Sequence, residues 1–345
     1  MEELRNIINN VQSSPLYYLF LSSKELFHSN FWFWIYQIDP GQFAEIFNLE
    51  VSQNFSVKRE KKLQNRINGE LFKSEVDLFI ENNGFPNIII ENKTKDFPTN
   101  AQLSRIISST ANEASIYTLI TLFQFDGLHF PDWNIISYRD LSQNITGRDF
   151  GNDYYNALIN DYSVFISNLS DLADILAPTL NYDFGNNLNP DLFSELENIK
   201  FWEAYVKMRL GHFVNQYKTN YLYSEELIIE SNINRKMPTI TWWWNFNQDL
   251  KIGIQVENNS YRKAIMGPNA NANNIFNNLS NNNLFFQANW RSARNLPYLQ
   301  YNVGNRGLFI YQSEIINISS FEDLFNRINT DLGLIEENVL PYLNE

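Results

Sequence analysis

The sequence predicts an α/β fold for residues 1–150 and an α+β region for residues 151–345. Three observations predict this class. Apolar and polar residues alternate on both sides of a turn at Gly84, a helical pattern follows, and an apolar strand comes after the helix. A hairpin, a helix and a strand in this order are typical of a mixed sheet flanked by helices.

Residues 1–50 have a helical pattern. Ser22-Ser23-Lys24-Glu25 precedes the apolar and aromatic stretch from Leu26 to Ile38. A serine followed three residues later by a glutamate is the pattern of a capping box, in which the two side chains satisfy the first main-chain N–H groups of a helix. Glu25 therefore has an explanation that needs no metal ion.

A β-hairpin is predicted over residues 75–93. Val76, Leu78 and Ile80 would share one face of the first strand, residues 82–86 form the turn, and residues 88–90 start the second strand. The period of two and the Asn-Gly turn both indicate a hairpin.

The remaining elements follow from the same kind of pattern. A helix is predicted over 99–115, with strands over 116–125 and 133–138. In the second half the patterns indicate helices over 153–176, 191–219 and 320–332, strands over 239–246, 251–257, 284–290 and 307–312, and an asparagine-rich loop over 269–283.

Composition limits the chemistry that the chain can perform. With no cysteine, disulfides, thiolate metal sites and cysteine nucleophiles are excluded, and the three histidines (His28, His129, His212) are scattered. Any metal ion must therefore bind mostly to oxygen. No apolar run is long enough to span a bilayer and the first residues are acidic, so we expect a cytoplasmic protein without a membrane partner.

The formal net charge of −13 argues against a general nucleic-acid coat protein, because such binding depends on lysine and arginine. Residues 58–73 are nevertheless locally basic. This segment contains Lys58, Arg59, Lys61, Lys62, Arg66 and Lys73 against Glu60 and Glu70. It is either a track for nucleic acid or an exposed charged face of a helix or loop.

The predicted hairpin brings two carboxylates and a lysine together. If the turn is symmetric about Gly84, Asp77 lies opposite Glu91, and cross-strand Cβ atoms are about 4.5–5.5 Å apart. Lys93 is two residues after Glu91 and shares its face. Carboxylates at this spacing suit Mg²⁺ or Mn²⁺, although an ordinary cross-strand salt bridge would give the same pattern.

The motif acid–any residue–lysine is weak by itself. It occurs as Glu60-Lys61-Lys62, Glu91-Asn92-Lys93 and Asp249-Leu250-Lys251. The second copy alone follows an apolar strand and has an aspartate placed to pair with it, whereas the third is typical of a polar turn.

Several segments together resemble a bacterial branch of the PD-(D/E)xK nuclease superfamily with an N-terminal KELFHSNF-type helix. They are residues 23–31, Glu75-Val76-Asp77, residues 89–93 and Gln102-Leu103, within residues 20–140. The resemblance implies a restriction-endonuclease-like core with about four strands and Mg²⁺-dependent hydrolysis of DNA.

The resemblance also assigns roles to residues. It implies Asp77, Glu91 and Lys93 as the catalytic set, with Glu25 and Gln102 as further members and Asp77, Glu91, Asn92 and Glu25 as metal ligands. The sequence departs from the family pattern in two places. Val76 precedes the aspartate where proline names the superfamily, and Ile106 stands where a tyrosine often follows the glutamine.

The functional expectation is a metal-dependent nuclease acting on nucleic acid, most simply DNA, in bacterial defence or DNA processing. A nuclease fold that only binds, and a hydrolase of small phosphodiesters, are the alternatives. The C-terminal half would supply target recognition, a homodimer contact or a protein partner surface. The run Trp242–Trp244 is expected to pack in a core rather than stack on bases, and His28 to be a packed side chain rather than a phosphate contact. Lys95 is expected to have a peripheral role.

Overall fold

A computed structural model describes most of the chain. The described residues are 1–22, 24–67, 69–94, 96, 98–123, 130–177, 190–221, 224, 226–234, 237–246, 250–257, 259–293, 295–304, 307–316 and 321–341. They form two compact units. The first contains the described residues up to 177 and Asp191–Met208, and the second contains Pro190 and those from Arg209 onwards. Ser23, Lys95, His129 and Asp249, which the sequence analysis named, lie outside the described residues.

Four helices occupy the start of the first unit, as the sequence predicts. They are α1 (Glu2–Ser13), α2 (Leu16–Ser22), α3 (Lys24–Ile38) and α4 (Pro40–Ile46). The capping box predicted from Ser22 to Glu25 is wrong. Ser22 is the last residue of α2, and its hydroxyl donates to the carbonyl of Leu19 (2.7 Å).

A mixed five-stranded sheet forms the centre of the first unit, in the order β1-β2-β3-β4-β5. The first three strands are antiparallel and the last three are parallel. The strands are β1 (Ser56–Ile67), β2 (Glu70–Glu81), β3 (Asn87–Lys93), β4 (Ser115–Thr121) and β5 (Trp133–Ser137).

The hairpin register predicted from the sequence is confirmed. Leu78 lies opposite Ile90 and Ile80 opposite Ile88, so the β2–β3 pairing is symmetric about Gly84. Gly84 has φ = +83°, a conformation that glycine adopts without strain. The symmetric turn fixes which side chains of the two strands share a face.

The basic segment is part of a second hairpin and not a helix or loop. Its residues lie on β1 and the start of β2, which pair from Ser56–Glu81 to Ile67–Glu70 with Glu60 and Asp77 left out of the register. Because β1 is an edge strand with charged side chains on both faces, it has no alternation of apolar residues that would have revealed it.

Helices α5 (Asn100–Thr110) and α6 (Tyr138–Ile145) follow β3 and β5. The hydroxyl of Thr99 accepts the N–H of Gln102 (3.2 Å) and so caps α5. One face of α5, with Leu103 and Ile106, packs into a cluster that contains Ile89 and Leu119 of the sheet. The cap and this packing fix the first turn of α5 beside the end of β3.

Helix α7 (Asp153–Leu176) belongs to the first unit, although the sequence analysis divided the chain at residue 150. It packs against α1, α2 and α6. The single helix expected over 191–219 is two helices, α8 (Pro190–Asn198) and α9 (Trp202–Asn220). Lys200, with φ = +54°, turns the chain between them, and a helical pattern of apolar residues does not reveal such a turn.

The second unit contains an antiparallel six-stranded sheet in the order β10-β11-β9-β8-β7-β6. Its strands are β6 (Ile228–Asn234), β7 (Met237–Asn245), β8 (Lys251–Glu257), β9 (Ser260–Gly267), β10 (Leu299–Asn302) and β11 (Leu308–Ile315). The predicted strands 239–246, 251–257 and 307–312 correspond to β7, β8 and β11. Trp242, Trp243 and Trp244 are all buried in β7, as expected.

Two predictions in the second unit are wrong. The asparagine-rich segment expected as a loop is helix α10 (Asn269–Asn281), because Ala272, Phe276 and Leu279 recur at helical spacing and are buried. The strand expected over 284–290 is irregular chain. The adjacent residues Phe285 and Phe286 are both buried in it.

Helix α11 (Phe321–Leu334) continues into a π-helical turn (Ile335–Val339) and agrees with the predicted closing helix. Among the described helices, none has the length and apolar character needed to cross a membrane.

Candidate active site

Asp77 and Glu91 lie next to each other across the β2–β3 hairpin. Asp77 precedes Leu78 and Glu91 follows Ile90, so both stand one position beyond the last pair on the side away from the turn. The Asp77 carboxylate accepts the main-chain N–H of Asn92 (Oδ2 to N, 2.7 Å). This bond holds the aspartate against the end of β3, as the predicted hairpin requires.

Glu91, Lys93 and Gln102 form one hydrogen-bonded group. Lys93 Nζ lies 2.9 Å from Glu91 Oε1, and Gln102 Nε2 donates to the same oxygen (3.0 Å). Glu91 and Lys93 are only 4% and 6% exposed. The second oxygen, Glu91 Oε2, is buried and has no hydrogen-bond partner within the described part of the chain. A buried carboxylate oxygen of this kind has lost its water and gained nothing in exchange.

Glu25 lies near this group on α3. Its charge raises the pKa of both Glu91 and Lys93, and its main-chain carbonyl accepts a hydrogen bond from Asn92 Nδ2 (3.2 Å). The five predicted site residues Asp77, Glu91, Lys93, Glu25 and Gln102 therefore occupy one region of the first unit.

Asn92 has a different position from its neighbours, because its side chain is on the opposite face of β3. Its carboxamide oxygen accepts the hydroxyl of Tyr138, which also contacts Thr94 (3.1 Å). The amide group therefore ties β3 to α3 and α6. A metal-binding role for Asn92 would fall to its main-chain carbonyl, which shares the Asp77 side of the strand with its N–H.

The pKa values in the site reflect three charged side chains, Asp77, Glu91 and Lys93, that lie close together with little access to water. Burial, and then the charge of Glu91, raise the pKa of Asp77 to about 7. Burial also raises the pKa of Glu91 despite the opposing effect of Lys93. Burial tends to lower the pKa of Lys93, but Glu91 and Glu25 outweigh it, and the net pKa is raised. The site therefore keeps its cation and resists full ionisation of its carboxyls.

This arrangement predicts how stability depends on pH without metal ions. Because the pKa of Asp77 is about 7 in the folded chain and about 4 in the unfolded chain, its contribution is present below pH 4 and lost as pH rises through 7. We expect Asp77→Asn to remove this loss. Urea unfolding of both proteins in EDTA between pH 5 and pH 8.5 measures the free energy of unfolding at each pH. The same dependence on pH in both proteins would contradict the expectation.

His28 is a packed side chain, as expected. It is fully buried, its Nδ1 lies 2.8 Å from the hydroxyl of Tyr162, and its ring packs on Tyr138. Burial lowers its pKa to about 3, so the ring stays neutral near pH 7. It supports α3 and α6 and is not placed to carry charge.

The residues that the sequence analysis missed are those that hold the site. Tyr138 is one. Ser29 is another, since it lowers the pKa of Asp77 and its hydroxyl donates to the carbonyl of Glu25 (3.2 Å), one turn earlier on α3. The spacing from Glu25 to Ser29 was a usable signal. Tyr138 had none, since its partner Asn92 is far away in sequence.

Among the described residues there is no cluster of three or more histidine or carboxylate side chains of the kind that holds a metal by itself. A magnesium ion is commonly held by one or two carboxylates with water and phosphate oxygens, and such a site contains no larger cluster. Comparisons with protein-family models, with curated proteins and with solved structures found no match to this chain.

Proposed function

We propose that the first unit is a Mg²⁺- or Mn²⁺-dependent nuclease with a restriction-endonuclease-like core of the PD-(D/E)xK type, acting on DNA in the cytoplasm. One observation carries the proposal. Glu91 Oε2 is buried without a hydrogen-bond partner among the described residues, directly beside a second carboxylate whose pKa is raised to about 7. A divalent cation would satisfy this oxygen and remove the repulsion between the two carboxylates.

The donor set fits a hard cation. Asp77 and Glu91 offer carboxylate oxygens, the main chain of Asn92 offers a carbonyl, and Glu25 is near enough to act directly or through water. When bound, such an ion supplies Lewis-acid stabilisation of phosphate charge and lowers the pKa of a coordinated water. No sulfur or histidine donor belongs to the set, which disfavours zinc.

Lys93 is the group proposed to orient the attacking water and to stabilise negative charge on the phosphate. Glu91 Oε1 holds its Nζ at 2.9 Å, and three carboxylates keep it protonated. Gln102 holds the same carboxylate oxygen from the first turn of α5, so that Glu91 is fixed from two directions. A positively charged donor fixed before the substrate arrives needs no reorganisation during the reaction.

Part of the basic hairpin provides a path for the substrate. Lys58 and Lys61 pair with Glu81, and Lys62 lies 4.0 Å from Glu75, so their charges are partly neutralised. A groove of about 470 Å³ between β2 and α5 is lined by two basic residues and one acidic residue, Lys73, Arg105 and Glu70, and by Ser104 and Ser108. Neither Lys73 nor Arg105 has an ion pair within 4 Å among the described residues, and Arg105 lies one turn after Gln102. We assign the phosphate backbone of the substrate to this groove.

This assignment predicts an effect on substrate binding. In the double variant Lys73→Gln/Arg105→Gln we expect KM for duplex DNA to rise about tenfold at physiological salt, with kcat unchanged, because two phosphate contacts are lost. The slope of log KM against log salt should fall by about two. Steady-state cleavage over a range of salt concentrations measures both quantities.

The control for that prediction is Lys58→Gln/Lys61→Gln, which removes the same amount of charge from β1. Because these lysines already pair with Glu81, we expect a smaller change in KM. Equal effects in the two double variants would show that only overall charge matters and would exclude the groove.

The activity itself is tested with single- and double-stranded DNA, RNA and small phosphodiesters, each with Mg²⁺, Mn²⁺ or EDTA. We expect metal-dependent cleavage of DNA. Cleavage restricted to small phosphodiesters would favour a small-molecule hydrolase. If no substrate were cleaved while DNA still bound, a binding module would replace the proposal.

A further inference from the structure

The open face of the sheet in the second unit contains a cavity of about 980 Å³. Alternation along β7 directs Thr239, Thr241 and Trp243 into it. The opposite face carries Trp242, whose ring contacts Phe213 of α9. The tryptophan run therefore has two environments, and one of its members lines a cavity.

One wall of this cavity is aromatic. It consists of Trp243, Tyr301, Phe309 and Tyr311. Tyr301 stacks on Phe309 with ring centroids 4.9 Å apart and an angle of 22°, and Phe309 meets Trp243 edge to face at 5.9 Å. Trp243 is 2% exposed, whereas Tyr301 is 43% exposed. The wall extends from the buried floor to the rim and offers flat surfaces for a planar ring.

The neighbouring wall presents hydrogen-bonding groups. Arg262 donates through Nη1 to Gln255 Oε1 (2.7 Å), pairs through Nη2 with Glu257, and lies over the ring of Tyr311 at 4.8 Å. These contacts fix the guanidinium. Its Nε is buried and has no hydrogen-bond partner among the described residues. Arg262 lines the cavity and has five N–H donors, of which the bonds to Gln255 and Glu257 use two, so a ligand that brings an acceptor can be bound by the same guanidinium.

We propose that this cavity binds a nucleobase, stacked on the aromatic wall and accepting a hydrogen bond from Arg262 through a ring nitrogen or a keto oxygen. The volume is within the range of small-molecule sites, about 300–1,000 Å³. A nucleobase has both a flat face and a hydrogen-bonding edge. A purely apolar ligand would leave the Arg262 donor unpaired.

Charge distinguishes the base from its phosphate. The cavity is lined by Glu230 and Glu257 as well as Arg262, so a free phosphate group would meet more negative than positive charge there. The base therefore enters, and any phosphate attached to it remains at the rim. The base comes either from a free nucleoside or from an unpaired position in a nucleic-acid strand. This inference does not depend on the nuclease proposal, because binding is measured without cleavage.

The test uses the full chain in EDTA. Adenosine, guanosine, cytidine, uridine and a single-stranded DNA oligonucleotide are titrated by calorimetry and by tryptophan fluorescence. We expect at least one nucleoside to bind, and Tyr301→Ala to weaken it about fivefold or more, since base stacking is worth about 1–3 kcal/mol. Arg262→Lys keeps the charge beside Glu257 but removes the planar set of N–H donors, and we expect weaker binding of the nucleoside.

Ile315→Ala is the matched control, because Ile315 is an 83% exposed residue of β11 and does not line the cavity. We expect it to bind as the unchanged protein does. If a nucleoside competes with the oligonucleotide, a base of the strand occupies the cavity; if it binds without competing, the ligand is a free nucleoside. Binding of a monosaccharide or fatty acid with no nucleoside bound, oligonucleotide binding that Tyr301→Ala leaves unchanged, or no binding of any of them would overturn the proposal.

Discussion

Replacing Lys93 by methionine is expected to lower kcat for DNA cleavage by about 10²–10³-fold while the protein stays folded and still binds Mg²⁺. Removal of one fixed donor to a transition-state charge costs about this much. The Glu91 carboxyl, whose pKa is already raised, can take up a proton when its partner is lost. Single-turnover cleavage measures kcat, and calorimetry with Mg²⁺ measures metal binding.

Calorimetry with Mg²⁺ should distinguish Asp77→Asn from Lys93→Met. Asp77→Asn removes a proposed metal ligand, so we expect it to lose both cleavage and Mg²⁺ binding. Lys61→Met is the control. It removes a lysine from the neighbouring hairpin whose charge is paired with Glu81. Cleavage by Lys93→Met at the rate of the unchanged protein would sink the assignment of the lysine.

A second large effect is expected from Gly253→Ala in the second unit. A Cβ atom at this position would lie far inside van der Waals contact with the carbonyl oxygen of Trp242, and 2.9 Å from its carbonyl carbon. These are main-chain atoms of the paired strand and cannot rotate away. We therefore expect a loss of about 3 kcal/mol or more in the free energy of unfolding, at the upper end of overpacking effects. Calorimetry would show it as a lower Tm.

Gly304→Ala is the matched change. Gly304 has φ = +63° but open space around the position of a Cβ atom, so only the cost of a left-handed conformation remains, about 1–2 kcal/mol. Near-UV circular dichroism should change in Gly253→Ala alone, because Trp242 and Trp243 lie against it. Equal destabilisation by the two alanines would mean that the close approach of the strands is not real.

The hairpin could be predicted because all of its information is local. The distance of seven residues from Gly84 to both Asp77 and Glu91 fixes the register, and the period of two fixes the face of Lys93. Gln102 was implied by the family resemblance alone, and the cap at Thr99 places it by starting α5 close to the end of β3. Each of these signals lies within a few residues of the feature it predicts.

The other features depend on contacts that no local pattern contains. Strand β1 is an edge strand in which half of the residues are charged, and α10 is a helix in spite of its asparagines because Phe276 and Leu279 are covered by the rest of the unit. Tyr138 reaches Asn92 across the fold. In β1 and α10, tertiary packing overrides the local propensity.

The symmetric turn at Gly84 also has a consequence for the order in which the chain folds. Hairpins close in microseconds, because their partners are near in sequence. Asp77 and Glu91 can therefore become neighbours early, whereas the parallel pairing of β3 with β4 and the docking of Glu25 and Tyr138 close much longer loops. In pulse-labelled hydrogen exchange, the amides of Leu78 and Ile90 should be protected before those of β4. The two carboxylates meet first, and the groups that fix their surroundings arrive later.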